Sequence, residues 1–321
     1  MNRWIAYILV ICALTLPALG IFLKGKPGIQ GILYGAQEVW APPISQVKHS
    51  TIQYGVYDPA FASGKENTFR DAKGIGIEHI FVSWLYIDPA YIEKIHQYAK
   101  DRNRWLMITI EPSSDARSSS PEEYLDQIRT GGYDQEIEKT CKSLGHLNAP
   151  LFIRWGHEME TNQKRYPWSG QLPEKYISAY QHFVRSCRKW VVEAYYVWSP
   201  AGDPRMVHYW PTEAYVDYVG LSVYSIPTLN DPSYGHQPSF SEVFNPKYER
   251  AALYGRPVMI AELGVSGEPA FQESWLRELF RNADQYPLLK TAVYFNAKDH
   301  PGVWKNLSYI PDWRISSKTF E

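Results

Sequence analysis

The sequence predicts an α/β fold of the (β/α)₈ class, a TIM barrel preceded by an N-terminal hydrophobic helix. Eight short runs of apolar, β-branched or aromatic residues recur at 52–57, 79–84, 105–110, 151–155, 194–198, 216–224, 258–261 and 291–295. Most gaps between them carry helical periodicity, at 91–98, 124–144, 176–190, 241–254 and 271–283. Several runs end in side chains that carry chemistry, as strands opening onto one barrel face do.

The first of these elements is the leader. After Met1-Asn2-Arg3 comes an uncharged apolar run, 4–23, followed by Lys24 and Lys26. At about 1.5 Å per residue it spans about 30 Å, the thickness of a bilayer core. It reads as a signal anchor, with a cleaved signal peptide as the alternative because Ala18-Leu19-Gly20 offers small residues at cleavage spacing. Either way residues 1–23 send the rest of the chain out of the cytoplasm. Residues 24–50, rich in Gly and Pro and holding Pro42-Pro43, read as a linker. The folded domain is expected over 51–315.

Strands alternating with helices imply a parallel sheet, and eight such units in about 270 residues suit a closed barrel. An open doubly wound sheet needs a Gly-rich phosphate turn after its first strand. Asp58-Pro59-Ala60-Phe61-Ala62-Ser63-Gly64 is a poor one, and Gly74-Ile75-Gly76 reads as a turn between helix and strand. The gap around 68–73 is short and the one at 200–216 irregular. Ser118-Ser119-Ser120 before Pro121-Glu122-Glu123 reads as a helix start.

Composition narrows the function. The formal charge is −1, so no field steers this chain toward nucleic acid. Twelve Trp, 24 Tyr and 12 Phe are unusual. Most belong to core, but rings left open in a cleft offer flat apolar faces to sugar rings. Cys12 lies in the leader, and Cys141 and Cys187 are expected as two isolated buried thiols, with one disulfide between them as the alternative in an oxidising compartment. No zinc spacing, no His-x-His ending the first strand and no His-Glu-x-x-His helix occurs, which disfavours a metal-dependent hydrolase.

Two carboxylates then stand out. Leu151-Phe152-Ile153-Arg154-Trp155-Gly156-His157-Glu158 and Pro257-Val258-Met259-Ile260-Ala261-Glu262 each run from apolar residues to a glutamate. A carboxylate at the tip of a buried strand is costly unless paired, hydrogen-bonded or used. Two facing carboxyl groups are the equipment for glycosidic bond cleavage. Glu158 is expected as general acid/base, its pKa raised by burial and a neighbouring charge. Glu262 is expected as the nucleophile. Arg154, on the same strand face as Glu158 by the period of two, is expected to orient Glu262, with Tyr224 donating to the same carboxylate. Glu111 reads either as a substrate ligand or as a structural ion-pair partner. Trp168 reads as a sugar platform, Trp198 as platform or barrel wall, and Trp155 as barrel packing. His157 and Phe295 complete the expected cleft.

These residues carry a resemblance. The chain is similar to glycoside hydrolase family 26, the β-mannanase family, over roughly residues 50–315. The carrying motifs are Ile153-Arg154-Trp155-Gly156-His157-Glu158-Met159, Tyr166-Pro167-Trp168, Tyr196-Val197-Trp198-Ser199-Pro200, Tyr215-Val216-Asp217-Tyr218-Val219-Gly220-Leu221 and Met259-Ile260-Ala261-Glu262-Leu263-Gly264. Related barrel families usually place Asn before the acid. The resemblance implies a (β/α)₈ barrel, a retaining double displacement with Glu158 as acid/base and Glu262 as nucleophile, a site lined by Arg154, His157 and Tyr224, and no cofactor. Two departures fall on substrate-facing positions. After His-Glu-Met the family usually has Asn-Gly and soon a Trp, where this chain has Glu160-Thr161-Asn162-Gln163-Lys164-Arg165. The Asp of the family's Gly-Leu-Asp-Gly-Tyr is Ser222. β-Mannan, β-glucan and a bacterial exopolysaccharide thus all stay open as substrates, and Lys164 and Arg165 tolerate an acidic one.

The expectation is a monomeric, extracytoplasmic, membrane-tethered endo-β-glycanase acting near a polysaccharide synthase or export system. A non-catalytic polysaccharide-binding barrel and a transglycosylase are the alternatives.

Overall fold

The computed structural model describes residues 52–320 apart from 61–66, 116, 119, 148–149, 162–164, 227–235 and 305–306. The expected anchor and linker lie outside the described residues. Among the described residues no helix is long and apolar enough to cross a membrane.

Eight strands, β1 (Gln53–Tyr57), β2 (Ile75–Ser83), β3 (Trp105–Glu111), β4 (Leu151–Trp155), β5 (Ala194–Trp198), β6 (Tyr218–Ser225), β7 (Val258–Val265) and β8 (Leu289–Phe295), pair in sequence order. All pairings are parallel, and β1 closes the barrel on β8 from Gln53↔Thr291 to Tyr57↔Phe295. Each strand falls on one expected run. β2 begins earlier than expected because Ile75 and Ile77 pair with Tyr54 and Gly55 of β1. β7 runs on to Val265, so Glu262 lies inside a strand and not at its tip.

Helices α1 (Pro89–Lys100), α2 (Pro121–Arg129), α3 (Asp134–Gly145), α4 (Pro173–Cys187), α5 (Phe240–Ala252) and α6 (Pro269–Asn282) cover the outside. Four begin with proline, whose missing N–H is no loss in the first turn. Ser120 caps α2 by accepting from the Glu123 amide at 3.1 Å, as Ser-Pro-Glu-Glu predicts. The stretch 124–144, expected as one helix, is two. Gly131 adopts φ +92° just past the end of α2, a conformation that stops a helix. The irregular gap at 200–216 holds only two short 3₁₀ turns, Pro204–Tyr209 and Glu213–Tyr215.

Strand alternation sorts the core into two shells. Ile77, Met107, Phe152, Val197, Met259, Ala261 and Val293 fill the barrel interior over a floor of Trp105, Tyr195 and Tyr218. The intervening residues, among them Ile108, Ile153, Trp155, Trp198, Leu221 and Ile260, face the helices. Trp155 is wholly buried there and stacks on Phe183. Cys141 of α3 and Cys187 of α4 form a buried disulfide, Cα atoms 5.2 Å apart, where isolated thiols were expected. Helix packing creates that proximity, and a spacing of 46 residues gives no hint of it.

Candidate active site

Glu262 reaches the barrel axis through a β-bulge. With Met259 facing inward, strict alternation would turn residue 262 out toward the helices. The β6–β7 register instead steps from Leu221↔Ile260 to Ser222↔Glu262, leaving Ala261 as an extra residue, and β8 steps in the same way. Ala261 and Glu262 thus share the interior side, while Leu263 returns to the outer shell. Both oxygens of Glu262 are held. Arg154 Nη1 donates to Oε1 at 2.5 Å and the Tyr224 hydroxyl donates to Oε2 at 2.6 Å. Arg154 is fully buried and fixed in turn, with Nε donating to Ser199 Oγ at 2.8 Å and Nη1 to Thr109 Oγ1 at 3.4 Å. Tyr224 fits because Gly264 lies opposite it. A Cβ there would sit 2.6 Å from the Tyr224 ring.

Glu158 arrives by a different route. β4 ends at Trp155, so Glu158 is not on the strand and shares no strand face with Arg154. The chain instead turns through Gly156 at φ +56° and Glu158 at φ +54°. A left-handed conformation at a residue with a Cβ costs on the order of 1–3 kcal/mol and persists only where neighbours hold it. Here the Glu158 amide donates to the Ser199 carbonyl at 2.8 Å. Burial, then the charge of Glu262, push the Glu158 carboxyl above its ordinary range. Ser222, Arg154 and Arg165 oppose that shift. The Ser222 hydroxyl lies beside Glu158 without making a geometrically formed hydrogen bond.

Around this pair stand the other residues. His157 is buried, its Nε2 3.0 Å from the Tyr166 hydroxyl and 4.0 Å from Glu262 Oε1. Burial and Arg154 drive its pKa well below the ordinary histidine value, so the ring is neutral. Glu111 ends β3, its carboxyl raised by burial and by Glu262. Arg165 and Arg154 oppose that rise. Phe295 stacks on Tyr57 with centroids 4.9 Å apart, and Phe81 and Tyr224 complete an aromatic wall.

Neither Trp168 nor Trp198 is an open platform, and Trp198 takes the barrel-wall alternative. Trp198 is 0% exposed, facing outward on β5 against Trp210 and Tyr254. Trp168 is 1% exposed, stacked beneath Tyr166, and its indole N–H donates to the His157 carbonyl at 2.7 Å. It braces the backbone beside Glu158.

Sequence reading missed several neighbours. Thr109 and Ser199 hold Arg154, and Tyr57, Phe81 and Tyr166 line the cleft. Strand parity from Arg154 points to Thr109 and Ser199 once the register is known. Trp304, half-buried and bonded to Asp299 at 2.6 Å, lies 5.9 Å from Tyr224. Nothing local in the sequence marks it. Arg165 is exposed, over the Tyr166 ring. Lys164 lies outside the described residues. No cluster of metal ligands occurs among the described residues.

A closed barrel with two buried glutamates toward the carboxyl ends of its strands is the architecture that (β/α)₈ glycoside hydrolases use. Within that architecture, the model of glycosyl hydrolase family 26 matches residues 92–247, just under half of the chain. The chain is similar to endoglucanase H of Acetivibrio thermocellus, 26% identical over 267 residues, covering 78% of this chain and 27% of that protein. It is also similar to β-1,3-xylanase TXYA of a Vibrio species, 22% identical over 219 residues, covering 60% of this chain and 46% of the relative. The chain therefore spans less than half the length of either relative. Among solved structures, a GH26 β-mannanase from Bacteroides ovatus matches with a TM-score of 0.60 at 14% identity, over 84% of this chain and 87% of that one. GH26C from a Muricauda species matches at 0.62 and 16%, over 85% and 90%. Identities this low speak to fold alone.

Proposed function

We propose that the chain is a retaining endo-β-glycanase that hydrolyses β-linked polysaccharide, with Glu262 as nucleophile and Glu158 as acid/base. One observation carries the reading. Glu262 has a donor on each oxygen, whereas Glu158 has its proton favoured by burial and by the charge of Glu262. Two carboxyls held in such different surroundings can divide the work between attack and proton transfer. In the first step a Glu262 oxygen bonds to the anomeric carbon as the glycosidic C–O bond breaks, and the departing oxygen takes the Glu158 proton. In the second step Glu158 takes a proton from water. The water oxygen bonds to the anomeric carbon and displaces Glu262.

The names endoglucanase, β-1,3-xylanase and β-mannanase among the similar proteins support a β-linked glycan as substrate. The departures at residues 160–165 and at Ser222 keep β-glucan and an exopolysaccharide alongside mannan. The buried disulfide fits an extracytoplasmic site, since such bonds persist in oxidising compartments. A tether through residues 4–23 beside a polysaccharide synthase or exporter, with the enzyme acting as a monomer, completes the proposal.

The test is a substrate screen with mannan, mixed-linkage and β-1,3 glucans, xylan and the host exopolysaccharide, scored by NMR of the first-formed anomer. Retention of configuration is expected, and inversion overturns the mechanism. Glu262→Ala is expected to abolish turnover with the fold intact. Glu158→Ala is expected to hurt substrates with poor leaving groups far more than activated aryl glycosides, and equal losses refute its acid role.

A further inference from the structure

The support of Glu158 extends one layer behind the cleft. The Ser199 carbonyl that holds the Glu158 amide opens the segment 199–203, which follows β5. Three charged side chains fix that segment. Glu160 Oε1 accepts from the amides of Gly202 at 2.9 Å and Asp203 at 3.1 Å. Arg250 Nη2 of α5 donates to the Gly202 carbonyl at 2.6 Å. Lys247, also on α5, donates from Nζ to the carbonyls of Ala201 at 2.8 Å and Ser222 at 2.7 Å.

Lys247 is the joint of this assembly. Its ammonium is the group that ties the segment after β5 to β6, at Ser222, whose hydroxyl lies beside the Glu158 carboxyl. The local chain is shaped to admit it. Gly202 has φ +93°, and a Cβ there would stand 2.8 Å from Lys247 Cγ. Burial disfavours an ammonium here, while the charges of Glu158 and Glu160 favour it. Glu160 is itself 1% exposed and occupies one of the positions where the chain departs from its family pattern.

We propose that Lys247 is a positioning residue for Glu158. By locking the Ala201 and Ser222 carbonyls it keeps the Ser199 acceptor in place and with it the left-handed backbone that aims the carboxyl at the leaving oxygen. This rests on the acid/base reading of Glu158. It assigns a role in proton delivery to a helix residue that touches no substrate.

The experiment compares kcat/KM on an oligosaccharide and on an activated aryl glycoside for wild type, Lys247→Met, Lys247→Arg and Glu158→Ala. Displacing a catalytic group by about 1 Å can cost on the order of 100-fold, so Lys247→Met is expected to lose roughly 10- to 100-fold on the oligosaccharide. On the aryl glycoside, which needs little proton assistance, the expected loss is under about threefold. Lys247→Arg keeps the charge but replaces the compact ammonium with a larger planar group, and is expected to show the same leaving-group dependence in weaker form. If Lys247→Met does not fold, the Arg variant decides the matter. Equal losses on both substrates, or none, overturn the positioning role. Should Glu158→Ala itself lose equally on both, the acid/base reading has failed, an outcome separate from failure of the Lys247 inference.

Discussion

Removing one oxygen atom from Tyr224 tests the geometry around Glu262 most directly. In Tyr224→Phe the ring keeps its packing against Trp313, with centroids 4.8 Å apart, and its fit over Gly264. What disappears is the 2.6 Å hydrogen bond to Glu262 Oε2, leaving Arg154 as the remaining donor to that carboxylate. A hydrogen bond to a charged acceptor contributes about 1.5–3 kcal/mol. At about 1.4 kcal/mol per factor of ten, kcat/KM is expected to fall roughly 10- to 150-fold. If Glu262 is the nucleophile proposed above, it attacks the anomeric carbon whatever group departs, and the loss should be similar for oligosaccharides and activated aryl glycosides. That sets it apart from the leaving-group dependence expected of Glu158→Ala. The assay is initial-rate kinetics on both substrate types, with the melting temperature and near-UV circular dichroism as controls for folding. A loss below threefold on both, or one confined to poor leaving groups, refutes the assignment of Tyr224 to the nucleophile.

Three further outcomes follow from other parts of the molecule. Closing a loop of 46 residues, the Cys141–Cys187 bond restricts the unfolded chain by about 4 kcal/mol. At roughly 2 °C per kcal/mol for a domain of this size, the double Cys→Ser variant should melt about 7–8 °C lower, and a melting point unmoved by substitution or by reductant rules the bond out. The pH dependence has a defined sign. Proton donation needs Glu158 protonated, its pKa is raised, and activity should fall as pH rises through that value. Glu262→Gln removes one of the two causes of the rise, so the Glu158 carboxyl, followed by ¹³C NMR in the coupled pair, should titrate lower than in wild type. An unmoved midpoint means the two groups do not share a site. Finally, Trp168→Phe deletes the donor to the His157 carbonyl, which should lower stability by about 1–3 kcal/mol. Oligosaccharide affinity, measured calorimetrically with Glu262→Ala as background, should stay within about twofold, whereas tenfold weaker binding would restore Trp168 as a platform.

What the sequence made legible follows from period and burial. Eight apolar runs separated by helical gaps gave the barrel, because each βα unit buries its own faces in a recognisable rhythm. Arg154 and Tyr224 could be matched to Glu262 because basic and hydroxyl groups ending apolar runs need a partner. Features set by tertiary register were not legible. Trp198 and Ser199 are adjacent, yet one faces the helices and the other holds Arg154, and only the register of β5 decides which. Trp168 sits in a loop-like Tyr-Pro-Trp context, but its ring is roofed by Tyr166. Lys247 lies 89 residues beyond Glu158 on an outer helix (247 − 158), where a lysine normally marks solvent. The half-cystines were invisible for the same reason, since α3 and α4 must first pack.

The two glutamates reach their shared gap by breaking the rule that located them. A regular β7 would send Glu262 into the helix layer, where burial without a partner would be prohibitive. The extra Ala261 reverses the phase of the strand at that point. A strict period-of-two reading of β4 gives the correct side for Glu158 through incorrect backbone, since the strand has ended and a left-handed turn carries the residue inward. Both irregularities cost local stability, and both are held by buried polar groups. Arg154, Thr109 and Ser199 secure the bulge side, and Ser199, Trp168 and the Lys247 clasp secure the turn. Ser199 serves both, its hydroxyl on Arg154 and its carbonyl on the Glu158 amide. One residue thereby couples the position of Glu262, through Arg154, to that of Glu158. The separation of the two carboxyls, on which retention depends, is thus set by the backbone at the end of β5 as much as by either glutamate.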